Sequence, residues 1–161
     1  MKTYRRDNVV GGVFDRIAVG VTGSQMPRTE DWAGWMRFLE SERCSRILGY
    51  AGSRKALGPK EKDIAFATFR NLRQNHGRPI FSLVLQSPAP GIVSFANTIA
   101  KTKVLDVKMK VFDPSQVEPA IEYLDLPRNR LPEIREVMDT WAAELNLGRI
   151  FGLPLAFNTR I

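Results

Sequence analysis

Residues able to carry covalent or acid–base chemistry are scarce in this chain of 161 residues, which has one histidine, His76, and one cysteine, Cys44. A nucleophile–base–orienter triad built on imidazole has only His76 to use. His76 stands beside Gly77 at the end of a helical pattern, where a cationic or hydrogen-bonding side chain suits the dipole anyway. A structural zinc site takes four ligands drawn from Cys and His, and the chain contains just these two candidates. Cys44 lies between a charged stretch and an apolar segment and reads as a free structural thiol. The carboxylate pairs Glu30 with Asp31 and Glu133 with Glu136 fall in first turns of helices, where the macrodipole accounts for them. The chemistry on offer is binding: no catalytic residue, metal or cofactor is expected, and the chain reads as a protein that is not an enzyme.

The remaining candidates are cations. Gly52 to Lys62 combines glycine and Ser53 with Arg54, Lys55, Lys60 and Lys62 ahead of a helix start. It is the best candidate for contact with an anion, whether carboxylate, phosphate or acidic peptide. The stretch lacks the spacing of a nucleotide-binding loop, and a solvated loop in which Ser53 is an ordinary turn residue explains the same composition. A second basic set, Lys101, Lys103, Lys108 and Lys110, surrounds the last apolar strand. Lys108 and Lys110 join the candidate binding residues, although lysines on an outer strand also serve simply to discourage edge-to-edge aggregation. Trp32 and Trp35 are three residues apart and therefore neighbours on one helix face, either both in the core or one of them an interaction anchor.

The elements that must position these residues follow from hydrophobic periodicity. Val9 to Val21 predicts a strand pair or one long bent strand. Trp32, Trp35, Met36 and Leu39 predict a helix capped at Thr29, with Glu30 and Asp31 at its positive end. Arg46 to Ala51 predicts a buried strand, and Pro59 starts a second helix that Gly77 ends. The apolar run Ile80 to Leu85 predicts a central strand covered on both faces. After the Ser87-Pro88-Ala89-Pro90 break, Ile92, Phe95, Ala96 and Ile99 mark a helix. Asp106 to Phe112 predicts a strand with one dry and one lysine-bearing face. Ser115 and Glu118 have capping-box spacing for a helix reaching Leu124. A last helix starts near Pro132 and aligns Ile134, Val137, Met138, Trp141 and Leu145.

Composition sets the frame. At 43% hydrophobic and 25% charged residues, the chain lies within the size of one domain that builds its core without metals or disulfides. A lone cysteine, no secretory pattern and no long apolar run lead to the expectation of a cytoplasmic protein without a transmembrane segment. The net charge of +7 suits an anionic partner. The expected organisation is a basic N-terminal segment at 1–11, an α/β domain at 12–147 and an apolar tail at 148–161. Five large apolar side chains, Ile150, Phe151, Leu153, Leu155 and Phe157, predict that the tail packs on its own domain or across a homodimer interface.

Over roughly residues 12 to 145 the order of elements, closing on Val111-Phe112-Asp113-Pro114 with Val117, Ala120, Ile121 and Leu124, resembles the STAS domain of anti-sigma-factor antagonists, in particular its divergent bacterial relatives. The resemblance implies a mixed central sheet with packed amphipathic helices and a non-catalytic binding role. Regulatory members of that family present a phosphorylatable Ser or Thr after Asp at the start of the helix following the second core strand. Gly58-Pro59 occupies that place here, so the switch is expected to be missing. Together these readings predict a non-enzymatic, accessory or regulatory module that binds an acidic protein or peptide. The alternatives are a small-anion binder or enzyme using the Gly52–Lys62 loop, and a nucleic-acid or membrane-surface binder drawn by charge. Nucleic acid is disfavoured, because the aromatic residues fall on core faces.

Overall fold

The computed structural model describes residues 1–53, 55–86, 90–102 and 105–151. Arg54, the Ser87-Pro88-Ala89 break, Lys103 and the tail from residue 152, with Leu153, Leu155 and Phe157, lie outside the described residues.

The chain opens as an antiparallel meander of β1 (Lys2–Arg6), β2 (Val9–Phe14) and β3 (Ile17–Thr22). The turn between β2 and β3 holds both central residues in the left-handed region, Asp15 at φ 47° and Arg16 at φ 63°. That is the backbone whose twist matches the flanking strands, built without the usual glycine. Three crossovers then carry the chain through α1 (Thr29–Ser41), β4 (Arg46–Ala51), α2 (Pro59–His76), β5 (Ile80–Leu85), α3 (Pro90–Lys101) and β6 (Lys108–Phe112). Strands β3 to β6 are parallel, and the six-stranded mixed sheet keeps sequence order.

Because parallel crossovers are right-handed, three steps in one direction place α1, α2 and α3 on one face. The buried side chains sort accordingly: Trp35, Met36, Leu39, Ala65, Phe69, Leu72 and Ile99 share one core with Val9, Ala18 and Ile47. The chain returns across the other face as α4 (Val117–Leu124) and α5 (Leu131–Glu144), whose Ile121, Leu124, Ile134, Met138 and Trp141 pack with Val10, Val19, Leu48 and Val84. The result is the expected α/β architecture, a mixed sheet with packed helices. Among the described residues no helix is long and apolar enough to cross a membrane.

Four local readings change. The segment 1–11, expected as a basic lead-in to the strand at Val9, supplies edge strand β1 ahead of β2. Its Lys-Thr-Tyr-Arg-Arg sequence shows no apolar alternation because only Tyr4 is partly covered, and pairing with β2 holds the rest. Thr29 is the first residue of α1 instead of its cap; its hydroxyl donates to Glu61 at 2.6 Å. The capping box near residue 115 uses Asp113 and Gln116, which open a 3-10 turn at Pro114–Gln116, instead of Ser115 and Glu118. The last strand begins at Lys108, two residues later than expected, after Leu105 and Val107 have been buried. At the end of the described residues, Ile150 and Phe151 pack on the α4–α5 core, and the Asp139 carboxylate accepts both of their backbone N–H groups.

Candidate functional site: an apolar cleft at the strand ends

Three glycines, Gly11, Gly20 and Gly49, lie side by side across β2, β3 and β4. The indole of Trp35 fills the space over the first two: a Cβ on Gly20 would sit 2.7 Å from Trp35 Cζ2, and one on Gly11 would overlap the same ring. Over Gly49 no ring lies as close. The nearest atoms to a Cβ there belong to Phe81 and Leu83, at 3.1 and 3.4 Å. Helix α2 packs chiefly on α1, and α3 lies over β6, so a gap remains above β4 and β5. This is why Phe81 and Leu83 are only partly buried, although the apolar run of β5 predicts a strand covered on both faces.

The gap is a cleft with an interior volume of about 110 Å³. It is therefore small. Gly49, Phe81 and Leu83 form its floor, Met36, Trp32 and Ala65 one wall, and Phe95 and Ala96 the other. The mouth lies at the carboxyl ends of β3 and β4, among Thr22 and Ala51 and, in the following loop, Ser53, Lys55 and Leu57. The sheet keeps sequence order, so it has no point of reversed strand order of the kind at which open α/β sheets commonly hold ligands.

Two of the sequence-predicted residues thus belong to the cleft. Ser53 is buried, and its hydroxyl accepts the backbone N–H of Lys55 at 3.1 Å, a turn-stabilising role. Lys55 is exposed at the mouth. Lys62 joins them from α2, its ammonium 5.6 Å from the centre of the Phe95 ring that lines the cleft. Lys60 is exposed at the start of α2 outside the lining, and Arg54 is outside the described residues. Lys108 and Lys110 stand apart on β6, over the Tyr123 ring of α4 at 5.0 and 6.0 Å.

The α1–α2 wall is pinned at Glu61. Its carboxylate accepts from the Thr29 hydroxyl and its backbone carbonyl accepts from the Trp32 indole N–H at 3.0 Å. The Thr29 hydrogen bond is the main reason that the Glu61 carboxyl titrates below its ordinary value. Trp32 is thus a half-buried wall residue, while Trp35 is in the core.

The remaining chemistry-bearing residues are dispersed. Cys44 is buried, and burial, with help from the Glu42 charge, pushes its thiol up to about 12. The carbonyl of His76 accepts from Arg16, and its imidazole makes no hydrogen bond among the described residues. Those residues include no cluster of three metal-ligating side chains.

Sequence reasoning singled out Ser53 and Lys55 in the loop at the mouth but did not anticipate the cleft. The signal for the floor was Gly49 within an otherwise apolar strand, where a missing side chain marks close approach or open space. Comparison with family models, with curated proteins and with solved structures returns no match.

Proposed function

We propose that the chain is a non-enzymatic binding domain whose ligand is a slender apolar molecule with an anionic end, of the class of long-chain carboxylates. The observation that supports this most directly is the combination of an apolar cleft above Gly49 with Lys55 at its mouth and Lys62 over the Phe95 ring that lines it. Ligand pockets are typically apolar concavities of 300–1,000 Å³ with a few placed polar groups. At about 110 Å³ this cleft is smaller, which favours a thin unbranched chain over a fused ring system. Each buried methylene contributes about 0.8 kcal/mol, offset by the cost of association. The resemblance to STAS-like modules and the scarcity of nucleophile–base pairs agree with a role that holds a ligand without transforming it.

Titration with a fluorescent long-chain carboxylate, displaced by unlabelled dodecanoate or dodecanol, tests this reading. A ligand selective for the folded state must also raise the melting temperature. Dodecanoate is expected to displace the probe and stabilise the fold. Lys55→Ala with Lys62→Ala should weaken dodecanoate about tenfold, the order of a charged hydrogen bond, with little effect on dodecanol. Absence of both displacement and stabilisation would refute the reading.

A second reading, an acidic protein or peptide partner, is favoured by Lys108 and Lys110. They stand on the outermost strand with no carboxylate partner among the described residues.

A further inference from the structure

We propose that β6 is an open docking edge for an extended segment whose residues alternate acidic and apolar, added to the sheet as a seventh strand. The proposal rests on the reading of an acidic partner and gives it a backbone geometry.

Strand β6 pairs with β5 on one side, and no described residue pairs with it on the other. Lys108 donates its backbone N–H to Pro79 O at 3.0 Å, towards β5. Backbone groups alternate sides along a strand, so the N–H and C=O groups of Met109 and Val111 face outward. An added strand completes those hydrogen bonds, which is the source of affinity in recognition by strand addition.

The two faces flanking this edge differ in chemistry. On the α4 face Lys108 and Lys110 are exposed, and their ammonium groups lie over Tyr123 without meeting a carboxylate among the described residues. The Arg78 charge also reaches Tyr123, where it opposes the upward shift that burial gives the phenol. On the α3 face a shallow groove runs beside the strand, with Val93, Asn97, Met109 and Val111 in its wall and, at the end of β6, Asp113, whose carboxylate accepts the Ser115 backbone N–H. Side chains of an added strand alternate between faces. Acidic residues at every second position therefore meet the lysines, and apolar residues between them meet the groove. A second copy of β6 would instead bring lysines close to lysines, which is unfavourable. A nucleic acid would engage the cations but leave the outward backbone groups and the groove unused.

The test uses a short labelled peptide of alternating glutamate and leucine, followed by fluorescence anisotropy against the full chain. Three comparisons accompany it: a scrambled peptide, a peptide N-methylated at alternate backbone positions, and a single-stranded DNA oligonucleotide. The alternating peptide should bind, and scrambling or N-methylation should each weaken it at least about tenfold. Lys108→Glu with Lys110→Glu should do the same while the melting temperature holds, because both side chains are exposed. Amide hydrogen exchange should slow at Met109 and Val111. If N-methylation has no effect but charge reversal does, strand addition is wrong and the acidic-partner reading survives. If charge reversal also has no effect, or only the DNA binds, both are wrong.

Discussion

Cys44 and Arg16 illustrate how single residues take their character from position. Burial keeps the Cys44 thiol neutral, with its titration pushed up to about 12, and thiolate is the reactive form. At pH 8 a disulfide reagent should therefore modify the native protein at least about a hundred times more slowly than the urea-unfolded chain. Comparable rates would show that the thiol is exposed. Because the folded value is raised, any stability from this group is complete below the ordinary value of 9.0 and is lost progressively as the pH climbs from there through about 12. Arg16 holds φ at 63° while its guanidinium donates to the carbonyls of Arg43 at 2.8 Å and His76 at 3.2 Å. Arg16→Ala loses both bonds and keeps the strained backbone, whereas Arg16→Gly loses the bonds and relieves the strain. Denaturant unfolding should place the glycine variant about 1 kcal/mol above the alanine variant; the reverse order would mean that the turn does not require left-handed geometry. Cys44 is the free structural thiol that its place in the sequence suggests, whereas the role of Arg16 was not readable beforehand, since Asp-Arg is an uncommon pair for such a turn.

At the level of elements, those set by local rules were legible and those set by partners were not. Arg46–Ala51 and Ile80–Leu85 match their expected strands residue for residue, and α2 runs between Pro59 and Gly77 as its punctuation predicts. β1 escaped notice because an edge strand needs little apolar content of its own. The glycine track escaped because its alignment exists only once β2, β3 and β4 are in register. Gly11→Ala should force the Trp35 ring aside and destabilise the fold by about 1–3 kcal/mol, the usual cost of overpacking; an unchanged denaturation midpoint would show that the ring has room to move. The α1–α2 clamp is pH-sensitive in a defined direction. The Glu61 value is depressed by the Thr29 hydroxyl, so its stabilising contribution is complete above the ordinary 4.5 and declines as the pH falls below it. Thr29→Val should lower the melting temperature by about 2–4 °C at pH 7, as loss of one hydrogen bond does in a chain of this size. The difference should shrink below pH 4.5. A difference independent of pH would place the effect of Thr29 elsewhere.

Across the whole molecule, two features occupy different places on one sheet: an apolar cleft at the carboxyl ends of the inner parallel strands and a basic edge at β6. The Gly52–Lys62 loop stood out in the sequence through its glycine and lysines. The apolar volume behind it did not, because it depends on α2 standing off the sheet and on Gly49 having no side chain. Filling the floor separates the cleft from the edge. Gly49→Val places a branched side chain over β4, where its Cβ lies 3.1 Å from Phe81 and must push that ring slightly. Binding of a long-chain carboxylate should fall by about tenfold or more while peptide binding at β6 is unchanged. The most direct measurement is an NMR experiment with carbon-13-labelled dodecanoate and the unlabelled full chain, recording intermolecular NOEs from the ligand's terminal methyl group. If the chain threads the cleft, that methyl will show NOEs to Leu83, Met36 and Ala96, with the carboxyl end near Lys55. NOEs confined to surface lysines, or none at saturating ligand, would contradict the assignment of the cleft as the binding site.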